Sequence, residues 1–335
     1  MSGSDAHTAP HLTAVVDSQD EQLLRTQAVS LALAGWTVLR LRGKQSRQYL
    51  QRFCTQDIEA AANSELTEAF VTNHKGRILA HLWIVPQGEE LWLLSLPGNR
   101  EALKKHLQTY LLGWDAQLHD ESDTGSCVCV AGPNSEAALQ QAGLLPTAAV
   151  ASSLTPSVSG LNCCRWSALS LPGWLLGGAS CALSAARERL QAAGVSEVSA
   201  SVWDLLRIQS GIPQVGVDLS EENLAQEAAR TQRAISFRKG CYLGQEPIAR
   251  LDAMGHTNRE LRVVEVPGCL SLQAGATVLA NGKECGQLSS VVVSALQQKG
   301  WGIGLLRKAA DLPDVVLEVQ EHRGTKWAAT SRIPQ

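Results

Sequence analysis

Residues 237–247 read Phe237-Arg238-Lys239-Gly240-Cys241-Tyr242-Leu243-Gly244-Gln245-Glu246-Pro247. Two glycines frame a cysteine and a tyrosine, which lets the backbone approach a ligand closely or take a positive φ. Pro247 suits the first turn of a helix, where its missing N–H costs nothing. The spacing predicts that helix over 247–254, stopped by Gly255, with its positive dipole end facing the loop. Arg238 and Lys239 immediately precede the thiol, and Arg230, Arg233 and Arg250 lie near in sequence. Positive charge and a helix N-terminus both favour a thiolate, which makes Cys241 a candidate reactive cysteine. A buried cysteine packed as a small hydrophobe is the competing reading.

Working outward, the texture changes after Arg259. Short alternating stretches at 261–266, 277–280, 288–293, 301–305, 315–319 and 326–330 read as strands. Asn281-Gly282 is a dipeptide suited to a type I′ turn, whose central residues both need φ > 0. Such closely spaced strands predict a small β-barrel over 259–332. Upstream, 202–209 reads as a helix stopped by Gly211 and Pro213, so 200–258 forms a helical segment. Near the N-terminus a strand at 36–41 turns at Gly43-Lys44 into a helix at 46–53. Strands at 69–72, 77–85 and 91–96 follow, the last two joined by a turn at 86–89, then an amphipathic helix at 99–112. Interleaved strands and helices suggest an α+β unit over 21–122. Between 137 and 186 the only charged side chain is Arg165. A strand at 126–131, a helix at 184–193 and much loop around Pro146 and Pro156 define a second α+β unit, 123–199. Residues 1–20 read as a loose arm.

The chain has 335 residues, 44% of them hydrophobic and 18% charged, which suits about two globular domains and excludes a disordered chain. A net charge of −3 supplies no general attraction to nucleic acid or anionic lipid. The nine cysteines form no CxxC pair, as expected where thiols survive singly in a reducing, cytoplasmic setting. No basic, apolar leader opens the sequence. The uncharged run 168–186 contains Pro172, Gly173, Gly177 and Gly178, so a membrane span is not expected there.

The string KGCYLGQE at 239–246 resembles the K-G-C-Y-x-G-Q-E signature of the YgfZ family, folate-binding relatives of the glycine cleavage system T-protein. Further pieces fall in the family's order. Leu205-Leu206-Arg207-Ile208-Gln209-Ser210-Gly211-Ile212-Pro213, with Gly216 and Asp218-Leu219, is similar to its R-I-E-x-G-I-P-x-x-G-x-D-L run. Ala234-Ile235-Ser236-Phe237 precedes the signature. Tyr49-Leu50-Gln51 with Thr55-Gln56-Asp57 resembles its F-L-Q-G-x-x-T-N-D segment, and Lys75-Gly76-Arg77 its P-K-G-R turn. Three positions depart from the pattern. Gln209 replaces a glutamate, Arg52 replaces a glycine, and Ala80-His81 stand where the aminomethyl-transferring T-protein has acidic residues.

The resemblance implies an α+β, T-protein-like arrangement of several domains around a folate-sized cavity, closed by a C-terminal barrel. It implies tetrahydrofolate or another reduced folate as ligand, and support of iron–sulfur protein assembly or repair through Cys241, with tRNA modification as a family association. A folate offers a flat pterin and an anionic tail, which call for apolar walls, placed polar groups and a cation. On the resemblance, Gln245 or Glu246 pairs with the pterin edge, Trp203 or Tyr242 stacks, and Arg250 or Arg238 meets the tail. Lys239 and Gly240 belong to the same loop. Arg207 and Asp218 read equally as ligand contacts or as a structural ion pair. Folate-dependent one-carbon transfer or demethylation, and a scaffold that has lost its ligand, are the other readings. Whether the protein is an enzyme stays open on these residues. Cys127 and Cys129 share a strand face and Cys163-Cys164 are adjacent, so no zinc-ligand spacing appears. Partners expected are folate and iron–sulfur assembly or client proteins, with no membrane and no direct nucleic-acid contact.

Overall fold

In the computed structural model, which describes residues 12–63, 65–145, 161–308, 315–321 and 324–334, the chain opens with strand Leu12–Val16 (β1) and helix Ser18–Thr26 (α1). The expected loose arm is therefore corrected from residue 12 onward. Leu12 to Val16 pair in parallel with Ser290 to Ser294 of the barrel. Asp17 caps α1, accepting hydrogen bonds from the Gln19 and Asp20 amides.

The elements Val29–Ala32 (β2), Thr37–Arg42 (β3), Ser46–Gln51 (α2), Thr67–Thr72 (β4), Ile78–Gln87 (β5), Glu90–Ser95 (β6), Arg100–Thr109 (α3) and Gln117–Asp120 (β7) follow. Gly125–Ala131 (β8), Ser135–Gln141 (α4), Leu161–Arg165 (β9), Gly173–Ala179 (β10), Ser180–Ala192 (α5) and Ser196–Glu197 (β11) come next. Ala200–Ser210 (α6), a 3₁₀ turn at Ala225–Ala228, Thr231–Ala234 (α7) and Gln245–Met254 (α8) lead into Arg259–Pro267 (β12), Thr277–Ala280 (β13), Lys283–Ser294 (β14), Lys299–Arg307 (β15), Leu317–Gln320 (β16) and Lys326–Arg332 (β17).

Two five-stranded sheets form the body. The first is antiparallel in the order β4-β5-β6-β3-β7, the second runs β11-β2-β8-β10-β9. Nearly every residue of β5 is buried, as befits a strand covered on both faces. One face of the first sheet packs under α2 and α3 through Tyr49, Leu50, Leu103 and Leu107. Its other face meets the second sheet and α6 in a shared core of Trp36, Trp83, Trp92, Cys129, Trp166 and Trp203. The outer face of the second sheet is covered by α4 and α5, through Leu139, Leu183 and Leu190.

The second sheet departs from the expected division at 122/123. It takes β2 from the preceding unit, pairing Leu31 with Cys129, because Val29, Ser30 and Leu31 are all buried and find their ladder there. The 137–186 run also holds more structure than its composition suggested: most of α4, all of β9 and β10, and the start of α5 lie within it. Among the described residues of this run, β9 and β10 are mostly buried, which suits uncharged side chains. The loop expected at Pro146 and Pro156 lies outside the described residues.

The C-terminal barrel is present. β14, β13, β16, β17, β12 and β15 pair in that order, and β15 returns to β14 to close it. Asn281 and Gly282 take φ of 49° and 76°, as a type I′ turn requires. Among the described residues no helix is long and apolar enough to cross a membrane.

Candidate functional site

The 237–247 loop is built into the first sheet. The Leu243 amide donates to the Arg52 carbonyl at 2.9 Å, and the Thr72 hydroxyl to the Leu243 carbonyl at 2.9 Å. Gly244 takes φ +86°, and a Cβ there would sit 2.4 Å from the Asn73 carbonyl oxygen, so only glycine fits. The turn residue Gly76 packs against Pro247 and Ile248 at the start of α8, which begins at Gln245. Lys75-Gly76-Arg77 and KGCYLGQE thus meet in space. Gly240 differs: it has no positive φ, and a Cβ there would meet nothing within 4 Å.

Cys241 is exposed, whereas Lys239 is buried. The Lys239 ammonium donates to the carbonyls of Cys54 at 2.9 Å and Gln56 at 2.7 Å, and lies 5.0 Å from the centre of the Tyr242 ring. Burial pulls its pKa below the ordinary lysine value. Two of its three donors go to carbonyls and the third faces the Cys54 sulfur at 3.9 Å, so it holds the loop down from within the core. Tyr242 is likewise packed into the shared core.

A hollow of about 480 Å³ opens where the 56–68 segment, β5, the 166–168 turn and α7 converge. Trp83 and Trp166 wall it, with ring centroids 5.3 Å apart, and Thr67, Glu68, Gln56 and Arg233 contribute polar groups. Trp203 stacks on Trp166 from behind, 5.3 Å between centroids, supporting the wall. None of Trp203, Arg207, Asp218, Lys239, Gly240, Tyr242, Gln245, Glu246, Arg250 or Cys241 lines this hollow. Arg207 and Asp218 form a fully enclosed ion pair at 2.8 Å, tied to Ser290 and Ser289 of the barrel. That geometry selects their structural reading, pinning α6 to β14. Gln245 is half-buried, and Glu246 and Arg250 are exposed along α8.

Glu68 is the buried acid of the site. Its carboxylate accepts from Arg230 Nη2 at 2.7 Å, from Arg230 Nε, and from His81 Nε2 at 2.8 Å. Burial alone would raise its pKa, but the Arg230 charge and the bonds from Arg230 and His81 outweigh it and hold the carboxyl below the usual range. His81 therefore serves as a partner for Glu68, sandwiched between Phe70 and Trp83. In the register, Glu68 faces Trp83 and Phe70 faces His81 across the β4–β5 ladder. Sequence spacing overlooked Glu68, Trp83 and Trp166. The available signal was a lone carboxylate inside the strand Thr67-Glu68-Ala69-Phe70-Val71, with tryptophan excess nearby.

The hollow suits a reduced folate. Its accessible lining is mostly polar, with the enclosed Trp83 and Trp166 indoles packed edge to face behind it, and Arg233 stands half-buried among its lining as a cation for an anionic tail. Trp83 Nε1, Trp166 Nε1 and Thr67 Oγ1 are buried without a hydrogen-bond partner. Each such orphan costs about 1–3 kcal/mol, and Trp92 Nε1 and Trp301 Nε1 are unpartnered in the same way. Among the described residues no cluster of three or more His, Cys, Asp or Glu side chains could hold a metal ion.

Comparison with known proteins agrees with this architecture. Residues 14–152 match the GCVT N-terminal domain. The tRNA-modifying protein YgfZ of Colwellia psychrerythraea is 26% identical over 242 residues, covering 72% of each chain. The tRNA-modifying protein YgfZ of Cronobacter sakazakii is 24% identical over 271 residues, 80% of each chain. The glycine cleavage system aminomethyltransferase T from Bartonella henselae superposes with a TM-score of 0.79 at 18% identity, over 93% of this chain and 87% of that one. The chain thus carries a GCVT N-terminal domain, shares the aminomethyltransferase fold, closes a C-terminal barrel and is similar in sequence to YgfZ proteins.

Proposed function

We propose that the protein binds tetrahydrofolate in the Trp83–Trp166 hollow and supports iron–sulfur protein assembly or repair in the cytoplasm through the Cys241 thiol. The observation that carries the ligand half is a hollow of about 480 Å³ beside the Trp83–Trp166 pair, with Arg233 among its polar lining. The pterin enters the hollow and the tail reaches Arg233. Cys241 acts from a loop that is exposed at its tip and anchored on both sides by Lys239 and Leu243. The name carried by the two YgfZ relatives extends the reading to tRNA modification, as a process served by iron–sulfur clients rather than by contact with RNA. In a strain lacking the protein, Cys241→Ser restores no iron–sulfur enzyme activity while still binding tetrahydrofolate; full restoration removes the thiol from the reading.

One-carbon transfer to folate is favoured by a single feature, the Glu68 carboxylate beside the hollow. Its engagement by Arg230 and His81, and the buried Ala80 next to His81, count against that role. Stoichiometric methylene-tetrahydrofolate formed from a methylated amine reverses the ranking.

A further inference from the structure

The exposed Cys241 thiol stands beside an apolar step on the surface. The Leu243 amide bonds the Arg52 carbonyl and the Lys239 ammonium bonds the Cys54 carbonyl, so the same two anchors flank both Cys241 and Phe53. The half-buried Phe53 ring stacks on Tyr110, 4.8 Å between centroids, and His106 packs edge-on against both. Tyr110 is 41% exposed and Leu112 96%. A lone exposed leucine is ordinary, but one beside a stacked aromatic pair is the kind of feature that anchors a protein interface.

The charge around this step has one sign. Residues 47–53, 104–112 and 237–243 contain no acidic side chain, although the whole chain carries a net charge of −3. Lys104 is paired with Glu101 and Asp120. Arg52, Lys105 and Arg238 are exposed, and none of them forms an ion pair among the described residues. The carboxylates that bear on buried Lys239 are Asp57 and Glu59, and Asp57 already accepts from Gln51 and the Ala60 amide. Resting on the Cys241 reading, we infer that Arg52, Phe53, Lys105, Tyr110, Leu112 and Arg238 form a docking surface that brings an acidic protein to Cys241. The apolar step supplies the anchor, and the unpaired cations steer and orient the partner. A nucleic acid would use the same cations but gain nothing from Leu112. Arg52 stands where the family pattern has glycine, so this part of the surface belongs to this chain.

The probe is a synthetic helical peptide of glutamate and leucine whose single cysteine is activated as a thionitrobenzoate disulfide. The Cys241 thiolate attacks the peptide sulfur, and thionitrobenzoate leaves with the electron pair of the old bond. Full-length Cys181→Ser protein leaves Cys241 as the exposed thiol that reports. Each rate is divided by that for neutral dithiodipyridine, which removes changes in intrinsic thiol reactivity. The acidic peptide is expected to react about tenfold or more faster than a lysine–leucine twin, and about threefold or more faster than a glutamate–serine twin. Arg52→Ser reduces the first ratio and Leu112→Ser abolishes the second, while both variants melt as the parent does and still bind tetrahydrofolate. In a strain lacking the protein they restore less iron–sulfur enzyme activity than the wild type. Equal rates for the three peptides, or ratios unchanged in the folded variants, overturn the inference. A uridine oligonucleotide that shields Cys241 as well as the acidic peptide does, or self-association that Leu112→Ser abolishes, overturns it too. All of these leave the role of Cys241 standing, whereas full restoration by Cys241→Ser overturns the reading on which the surface rests.

Discussion

The guanidinium of Arg230 lies against the carboxylate of Glu68, Nη2 to Oε2 at 2.7 Å, although 162 positions separate them in sequence. The bond ties α7 to β4 at the base of the hollow, and the Arg230 Nη1 group also donates to the Ser210 and Gly211 carbonyls. Removing one member leaves the other charge buried. Arg230→Met is expected to cost about 3–5 kcal/mol in urea unfolding, whereas an exposed charge such as Arg250→Met stays within about 0.5 kcal/mol.

The same pair sets an acid dependence. The Glu68 carboxyl titrates below its ordinary value of 4.5 because the Arg230 charge and its hydrogen bonds overcome the cost of burial. Its contribution to stability is complete above about pH 4.5 and is lost as pH falls from there toward the folded value. Urea midpoints measured from about pH 6 to pH 3 decline in the wild type, and Glu68→Gln flattens the part of the decline that this group causes.

Thiol chemistry separates the cysteines. Cys181 and Cys241 are exposed, and the other seven are buried. Burial pushes the Cys127 and Cys164 thiols up to about 12. A thiol reagent added to the native protein is expected to label two sites rapidly, reduced to one in Cys241→Ser. Because Cys241 does not line the hollow, saturating tetrahydrofolate leaves its labelling rate unchanged.

The two glycines of the signature respond oppositely. Gly244→Ala forces a side chain into φ +86° and onto the Asn73 carbonyl, costing more than about 1–2 kcal/mol. Gly240→Ala meets open space and changes stability by no more than about 0.5 kcal/mol. Denaturation curves of the two variants test this directly.

The barrel and most helices were legible because their cues are local: Asn281-Gly282 for the hairpin, Gly211 and Gly255 for helix ends, alternation for the strands. Long-range pairing was not legible in this way. Nothing in Val29-Ser30-Leu31 tells that β2 crosses into the second sheet, since the partner Cys129 is distant in sequence. The site was divided along the same line. Motif spacing located the loop of Cys241 and the Lys75-Gly76-Arg77 turn, but not that the two meet in space. The structure turns Lys239 and Tyr242 inward and assembles the hollow from Thr67, Glu68, Trp83, Trp166 and Arg233, which no short motif joins.

Folate binding in the aromatic hollow is tested most directly by titrating tetrahydrofolate into the wild-type protein and into Trp166→Phe, following heat and tryptophan emission together. Saturation at one equivalent per chain, with quenched emission and weaker binding in the variant, is the predicted result. The absence of saturable binding, or binding that the variant leaves untouched in both affinity and emission, contradicts it.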